Sequence, residues 1–207
     1  MRALEIRRGP LDEPTALAAG ALCARAFAGD ALFESSFPST RRDRAVAVLH
    51  ARLLSALAPI AATAAAFDGE TLVGLSVFLP PGAWPLPPAV QWRSLGAALR
   101  AASVARVRPL RGARLGAEAA RHHPTVPHWY LQLLAVEPSW QRRGVGTALL
   151  RAGLAACDAE GRPAYLETQR AENLPYYARF GFTPVAEVRG EGEVRLWCLV
   201  RRAAASS

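Results

Sequence analysis

The fold is decided by one stretch, QRRGVGT at residues 141–147, which lies between a predicted strand and a predicted helix. The start of a helix offers unpaired backbone N–H groups and the positive end of the helix dipole. Glycines there let a ligand approach the backbone closely, and the two adjacent arginines add positive charge. This combination predicts a binding site for a diphosphate.

Two common phosphate-binding motifs are excluded at this position. A Rossmann fingerprint needs a third glycine, but Leu149 occupies its place. A Walker A loop needs a lysine, and all 25 basic residues of this chain are arginines. The absence of lysine also excludes Schiff-base chemistry on a lysine side chain.

A second motif, NLPYYARFGF at residues 173–182, follows the next predicted strand. Together the two segments resemble the acetyl-CoA-binding motifs of the GNAT (Gcn5-related N-acetyltransferase) superfamily. The first is similar to its Gln/Arg-x-x-Gly-x-Gly/Ala signature, and the second to its Asn…Tyr-x-x-x-Gly-Phe signature. The segments LET at 166–168 and WC at 197–198 are similar to the puromycin N-acetyltransferase-like members of that superfamily.

This resemblance implies one domain over residues 1–207 with the α/β (α+β) GNAT acyl-CoA N-acyltransferase fold. Such a fold has a mixed, mostly antiparallel twisted sheet flanked by helices, with the fourth and fifth strands splayed apart. Residues 128–184 would form the acetyl-CoA-binding core. Residues 84–127 are predicted to be a helical insertion that covers the acceptor site.

The resemblance also assigns ligand-binding residues. The backbones of Leu134 and Val136 would hold the acetyl carbonyl and the pantetheine amides. Asn173 would hydrogen-bond the CoA arm, and an N-cap at the following helix is its structural alternative. The pyrophosphate would be bound by Arg142, Arg143, Gly144, Val145, Gly146 and Thr147.

For catalysis, the family's general-acid tyrosine corresponds to Tyr177, whose phenol would protonate the leaving CoA thiolate. The adjacent Tyr176 is predicted to face the core. The base that deprotonates the amine is left open among Glu137, Glu167 and His128. Each of these three could equally be a salt-bridge or hydrogen-bond partner.

The predicted function is transfer of an acetyl group from acetyl-CoA to a primary amine of a small molecule in a ternary complex. An antibiotic or an aminonucleoside is the acceptor that the resemblance implies. The alternatives are a protein or peptide N-acetyltransferase and a non-catalytic acyl-CoA-binding module. We expect no metal, nucleic-acid or membrane partner, a monomer or homodimer, and a cytoplasmic location.

Composition agrees with a globular chain of this kind. The 207 residues are 51% hydrophobic and carry a formal net charge of +8. Cys23, Cys157 and Cys198 are scattered, which predicts buried free thiols rather than a zinc site or disulfides. Hydrophobic periodicity predicts strands at 4–8, 64–67, 72–79, 128–136, 164–168 and 194–201, and helices at 15–27, 41–57, 144–159 and 174–180.

Overall fold

The computed structural model describes residues 4–105, 111–190 and 194–203. In these residues seven strands form one sheet in the order β1-β2-β3-β4-β5-β7-β6. All neighbouring strands are antiparallel except β4 and β5, which run parallel, so the predicted mixed sheet is confirmed. The strands are β1 (Glu5–Arg8), β2 (Ala62–Asp68), β3 (Thr71–Leu79), β4 (Trp129–Val136), β5 (Ala164–Thr168), β6 (Phe182–Arg189) and β7 (Arg195–Arg201).

Helices cover both faces of this sheet. The helices are α1 (Glu13–Ala26), α2 (Ala31–Ser36), α3 (Arg42–Leu57), α4 (Pro88–Ala105), α5 (Arg111–Ala119), α6 (Val145–Ala159) and α7 (Leu174–Ala178). α1 and α5 pack on one face, with α3 against α1 and α4 against α3. α6 packs on the opposite face against β2, β3 and β4. No helix in the described residues is long and apolar enough to cross a membrane.

Close packing of α6 on the sheet fixes the position of its first turn. Leu149 and Leu150 are fully buried, and Val145 is 2% exposed. A side chain at Gly153 would collide with the ring of Phe78 on β3, so only glycine allows this approach. The first turn of α6 is therefore held directly above the ends of the central strands.

The central strands β4 and β5 separate after three paired positions. Their parallel register runs from Trp129 opposite Ala164 to Leu131 opposite Leu166, and β4 then continues to Val136 without a described partner on that side. On its other side β4 contains a bulge, because Leu131 and Leu133 pair with consecutive residues of β3 and Gln132 is left over. The predicted splay of the fourth and fifth strands is confirmed.

Two elements were missed by the sequence analysis, the short helix α2 and the edge strand β6. The predicted insertion at 84–127 contains α4 and α5, and its residues 106–110 lie outside the described residues. α4 packs against α3.

Candidate active site

A cavity of about 930 Å³ opens where β4 and β5 separate. One side is formed by residues 130–136 of β4, the start of α6, the end of β5 and the helix α7. The other side comes from the segment that joins α1, α2 and α3. The cavity therefore spans both the phosphate-type motif and a surface that the motifs did not reveal.

The start of α6 forms one wall of the cavity. Gly144 precedes the helix with a φ of 86°, a left-handed conformation that glycine adopts without strain. The backbone bond from the Ala148 N–H to the Gly144 carbonyl, 2.9 Å long, opens the helix. The amides of Val145, Gly146 and Thr147 come before that bond, and the Gly144 position supplies no side-chain cap. Free amides thus point out of the helix at one wall of the cavity.

The residues of the first motif divide into two groups. Gln141, Arg142, Gly144, Gly146 and Thr147 line the cavity. Arg143 instead places its guanidinium over the Trp140 ring, 5.6 Å from the ring centroid. The Val145 side chain packs into the core below the helix, so that residue has only its backbone amide to offer.

The free edge of β4 faces the same space. Leu134 and Val136, predicted to act through their main chains, both line the cavity along the unpaired stretch of the strand. The Gln141 side-chain amide donates to the Val136 carbonyl at 3.1 Å, which ties the motif loop to the strand. An extended ligand can pair with this edge as an added strand would.

Both tyrosines of the second motif line the cavity. Tyr177 is 7% exposed, and burial raises the pKa of its phenol, which therefore stays protonated at neutral pH. Tyr176 was predicted to face the core, but it only packs partly against it and also borders the cavity. Its hydroxyl oxygen lies close to Gly146 and would be 3.2 Å from a Cβ atom added to that residue.

Asn173 does not cap the helix that follows it. Its φ and ψ are helical, and its side chain accepts no hydrogen bond from the first turn of α7. The side-chain amide instead donates to the Thr168 hydroxyl at the end of β5, at 3.0 Å. Asn173 lines the cavity, and its carbonyl oxygen remains available as an acceptor.

The candidate bases occupy different environments. Glu137 forms a two-pronged ion pair with Arg25 of α1, with contacts of 2.7 to 3.1 Å, and is not one of the described cavity-lining residues. Glu167 lines the cavity and accepts hydrogen bonds from the Tyr130 and Tyr165 phenols, at 3.3 and 3.1 Å. His128 is 6% exposed and lies behind Glu167 rather than on the cavity surface.

The α1–α3 wall is the part of the site that the sequence analysis missed. His50 lies between two phenylalanine rings, 5.3 Å from Phe27 and 5.6 Å from Phe33 between centroids. Asp30 caps α2 through the Leu32 amide, and burial raises the pKa of its carboxyl group. A histidine within the buried stripe of α3 was the available signal. The wall consists of Phe27, Asp30, Phe33, Leu49, His50 and Leu53.

Burial of His50 makes the stability of the fold sensitive to acid. Burial lowers the pKa of His50 to about 4, whereas the unfolded chain retains the ordinary value of 6.5. As the pH falls from 6.5 to about 4 the unfolded state gains a proton that the folded state does not, so this contribution to stability is lost. We expect His50 to account for roughly 3 kcal/mol of lost unfolding free energy by about pH 4.

Urea unfolding at about pH 7 and about pH 4.5 measures this effect when the wild type is compared with His50→Gln. Glutamine keeps a donor for the Val46 carbonyl, which the His50 Nδ1 contacts at 2.8 Å, but does not titrate. The wild type should lose more stability on acidification than the variant does. Equal losses of unfolding free energy in the two proteins would contradict the assignment of this acid sensitivity to His50.

Comparison with known proteins identifies this architecture. Residues 102–184 match the acetyltransferase (GNAT) domain family. The matched segment holds both motifs, so this part of the chain is similar to GNAT acetyltransferases. A 54-residue segment is 39% identical to an uncharacterized N-acetyltransferase of Schizosaccharomyces pombe, covering 26% of this chain and 22% of that protein. The family predicted from the two motifs is confirmed.

Solved structures show the same fold over nearly the whole chain. One, described as histone acetyltransferase HPA2 and related acetyltransferase of Corynebacterium glutamicum, has a TM-score of 0.67 at 24% identity, over 98% of each chain. The PaiA N-acetyltransferase of Thermoplasma acidophilum, solved in complex with coenzyme A, has a TM-score of 0.58 at 11% identity, over 97% of this chain and 99% of its own. At these identities the likeness establishes the fold alone.

The two arginines of the first motif, Arg142 and Arg143, should contribute unequally to CoA binding. Arg142 lines the cavity, whereas the guanidinium of Arg143 is stacked on Trp140. We expect Arg142→Gln to weaken CoA binding about 10-fold, because a charge-assisted hydrogen bond is lost. Arg143→Gln is the matched variant and should change the Kd by less than about 2-fold. Isothermal titration with CoA measures the Kd of both variants. Equal increases in Kd would contradict the prediction that Arg142 contributes more to CoA binding than Arg143.

Proposed function

We propose that this protein transfers an acetyl group from acetyl-CoA to a primary amine of a small molecule. The observation that carries the proposal is a single cavity that joins three features. These are a helix start with free amides, a buried phenol and the α1–α3 wall. The first suits a diphosphate, the second suits a leaving thiolate, and the third suits an apolar acceptor.

The donor side of the cavity fits the chemistry of CoA. The amides of Val145, Gly146 and Thr147, with the Arg142 guanidinium, offer donors and positive charge to a pyrophosphate. The free edge of β4 at Leu134 and Val136 offers backbone groups to pantetheine amides. Gly144, Asn173 and Tyr177 also border the donor side of the cavity, whereas Arg143, stacked on Trp140, is proposed to contribute little to donor binding despite its place in the motif.

Two groups move protons in the proposed reaction. The amine nitrogen attacks the thioester carbonyl, the carbon–sulfur bond breaks, and the Tyr177 phenol gives its proton to the departing thiolate. The amine loses a proton to Glu167, which is the candidate carboxylate on the cavity surface. That proton returns through solvent to the Tyr177 phenolate. No covalent acyl-enzyme is needed, and burial raises the pKa of Cys157 to about 12, which disfavours a thiolate nucleophile.

The α1–α3 wall supports a small acceptor with an apolar or aromatic body. Phe27 and Phe33 present rings to the cavity, and Asp30 adds a polar group at its margin. Aromatic walls with a few polar groups are typical of small-molecule sites. None of the described residues from 84–127 lines the cavity, so coverage of the acceptor by that insertion stays a prediction.

A panel of amines tests the proposal through thiol release from acetyl-CoA. The panel should contain aromatic and aliphatic primary amines, an aminonucleoside antibiotic, and peptides with a free N-terminus or a lysine. We expect the aromatic small amines to give the highest kcat/KM. Transfer to peptides alone would favour a protein or peptide N-acetyltransferase. Tight CoA binding without transfer to any amine would favour a binding module.

A further inference from the structure

Behind Glu167 lies a chain of two histidines that the proposed reaction does not yet use. The His128 Nδ1 is 2.8 Å from the Val126 carbonyl oxygen. The His128 Nε2 is 3.1 Å from the His123 Nδ1. The His123 Nε2 lies 3.7 Å from the Glu167 Oε1, so the chain ends at the carboxylate that borders the cavity.

Hydrogen-bond chemistry fixes the direction of this chain. The Val126 carbonyl can only accept, so the His128 Nδ1 carries a proton. Burial lowers the pKa of His128, which keeps its ring neutral and leaves a lone pair on its Nε2. The His123 Nδ1 must therefore be the donor to that lone pair. A neutral His123 then has a bare Nε2 directed at Glu167.

The surroundings hold His123 in this arrangement. Its ring is stacked on Trp84, with centroids 4.3 Å apart, and it also contacts the rings of Tyr130 and Tyr165. The His123 side chain is 5% exposed, and its Nε2 is buried with no hydrogen-bond partner among the described residues. Two acceptors, this nitrogen and the carboxylate, thus face each other at low exposure. A proton placed between them would satisfy both acceptors.

The two phenols beside Glu167 do not supply a proton between the His123 Nε2 and the carboxylate. The Tyr130 hydroxyl is directed at the carboxylate, and the Tyr165 hydroxyl lies between that carboxylate at 3.1 Å and the Ala119 carbonyl oxygen at 3.4 Å. Burial raises the pKa of both phenols, so they remain neutral donors. A proton that bridges the His123 nitrogen and the Glu167 carboxylate must therefore come from outside this cluster. The carboxylate reaches the cavity, where an attacking amine would lose its proton.

We propose that His123 is a positioning residue that makes Glu167 an effective proton acceptor, an inference that rests on the proposed function. The N–H bond of the attacking amine breaks and an O–H bond forms on Glu167. After a small approach across the 3.7 Å gap, the new hydroxyl donates to the His123 Nε2, so the proton is shared between the two groups.

The pH dependence of His123→Gln tests this role with an amine that remains neutral over the range studied. Glutamine can donate to Glu167 but cannot share a titrating proton, so we expect kcat to fall about 10-fold or more, with little change in either KM. The acid limb of the kcat profile should move to lower pH. The titratable groups that face His123 are Glu167, Tyr130, Tyr165 and His128, with Cys198 beyond Tyr165.

The neighbouring His122→Gln is the matched control and should leave the profile unchanged. A purely structural role for His123 would lower kcat without moving the acid limb, and that result would overturn the proposal. Thermal unfolding of both variants separates loss of folded protein from loss of rate.

Nitrogen-15 NMR of labelled histidines gives a readout that does not depend on catalysis. The chain has four histidines, so single variants assign every signal. We expect His128 to be the Nδ1–H tautomer, and the signal of the His123 Nε2 to differ between the wild type and Glu167→Gln, because that nitrogen faces the Glu167 carboxylate. The same behaviour of His123 in both proteins would sink the inference. If the expected spectra came with no acetyl transfer to any amine, only the proposed function would fail.

Discussion

Tyr177→Phe should lower kcat for acetyl transfer by roughly 10²- to 10⁴-fold, the range that a general acid contributes. The ring remains and only the hydroxyl is lost, because the buried side chain packs beside Phe182 and Tyr176 in either form. Without the phenol, the thiolate must leave unprotonated or wait for a proton from solvent. CoA binding should stay within about 2-fold of the wild type, since no pyrophosphate contact is altered.

Stopped-flow or steady-state thiol release measures the rate, and isothermal titration measures CoA affinity. Tyr176→Phe is the matched comparison, because the neighbouring hydroxyl is buried without a hydrogen-bond partner among the described residues. Its removal should cost no more than a few-fold in kcat. Rates for Tyr177→Phe within about 3-fold of the wild type would show that the phenol is not the proton donor.

The buried state of Tyr177 also sets the pH at which it can act. Because burial raises the pKa of this phenol, the hydroxyl remains protonated throughout the neutral and mildly alkaline range. Burial thereby keeps the phenol protonated and available as a donor, because the phenolate is energetically unfavourable in this buried site. Any alkaline limb below about pH 10 must therefore belong to another group.

The donor half of the site could be predicted from sequence because its chemistry is local. A glycine with positive φ at the start of α6 and a tyrosine four residues before Gly181 are fixed by short-range geometry. The separation of β4 and β5 came from the family resemblance rather than from periodicity. The positions of the Arg143 and Tyr176 side chains could not be predicted, because they depend on packing partners that the neighbouring sequence does not identify.

The missed elements have physical reasons of their own. β6 is an edge strand with mostly exposed residues, and Pro184 lies at its irregular register, so neither alternation nor propensity indicates a strand. α2 has six residues, too few for a helical pattern. The α1–α3 wall joins residues 20 or more positions apart, such as Phe27 and His50, through the packing of α1 on α3. Such contacts require the folded chain.

Gly146→Val should abolish useful CoA binding, raising the Kd by on the order of 100-fold or more. Gly146 lies in the first turn of α6, and a Cβ there would be 3.2 Å from the Tyr176 hydroxyl and 3.5 Å from Val136 Cγ2. The branched side chain would press against Tyr176 and Val136, which border the cavity beside the free amides, and would narrow the space for a phosphate there. Loss of two charge-assisted hydrogen bonds of ordinary strength accounts for an effect of that size.

The control for this variant must show that valine at a helical glycine does not itself unfold the protein. Gly96→Val serves, because Gly96 is an exposed residue of α4 with no heavy atom within 4 Å of its Cβ position. It should bind CoA with the wild-type Kd. If Gly146→Val folded normally and still bound CoA within about 3-fold of the wild type, a diphosphate could not lie against these amides. The ligand would then have to enter along the β4 edge alone, which leaves the charge of Arg142 and the conformation of Gly144 without a function.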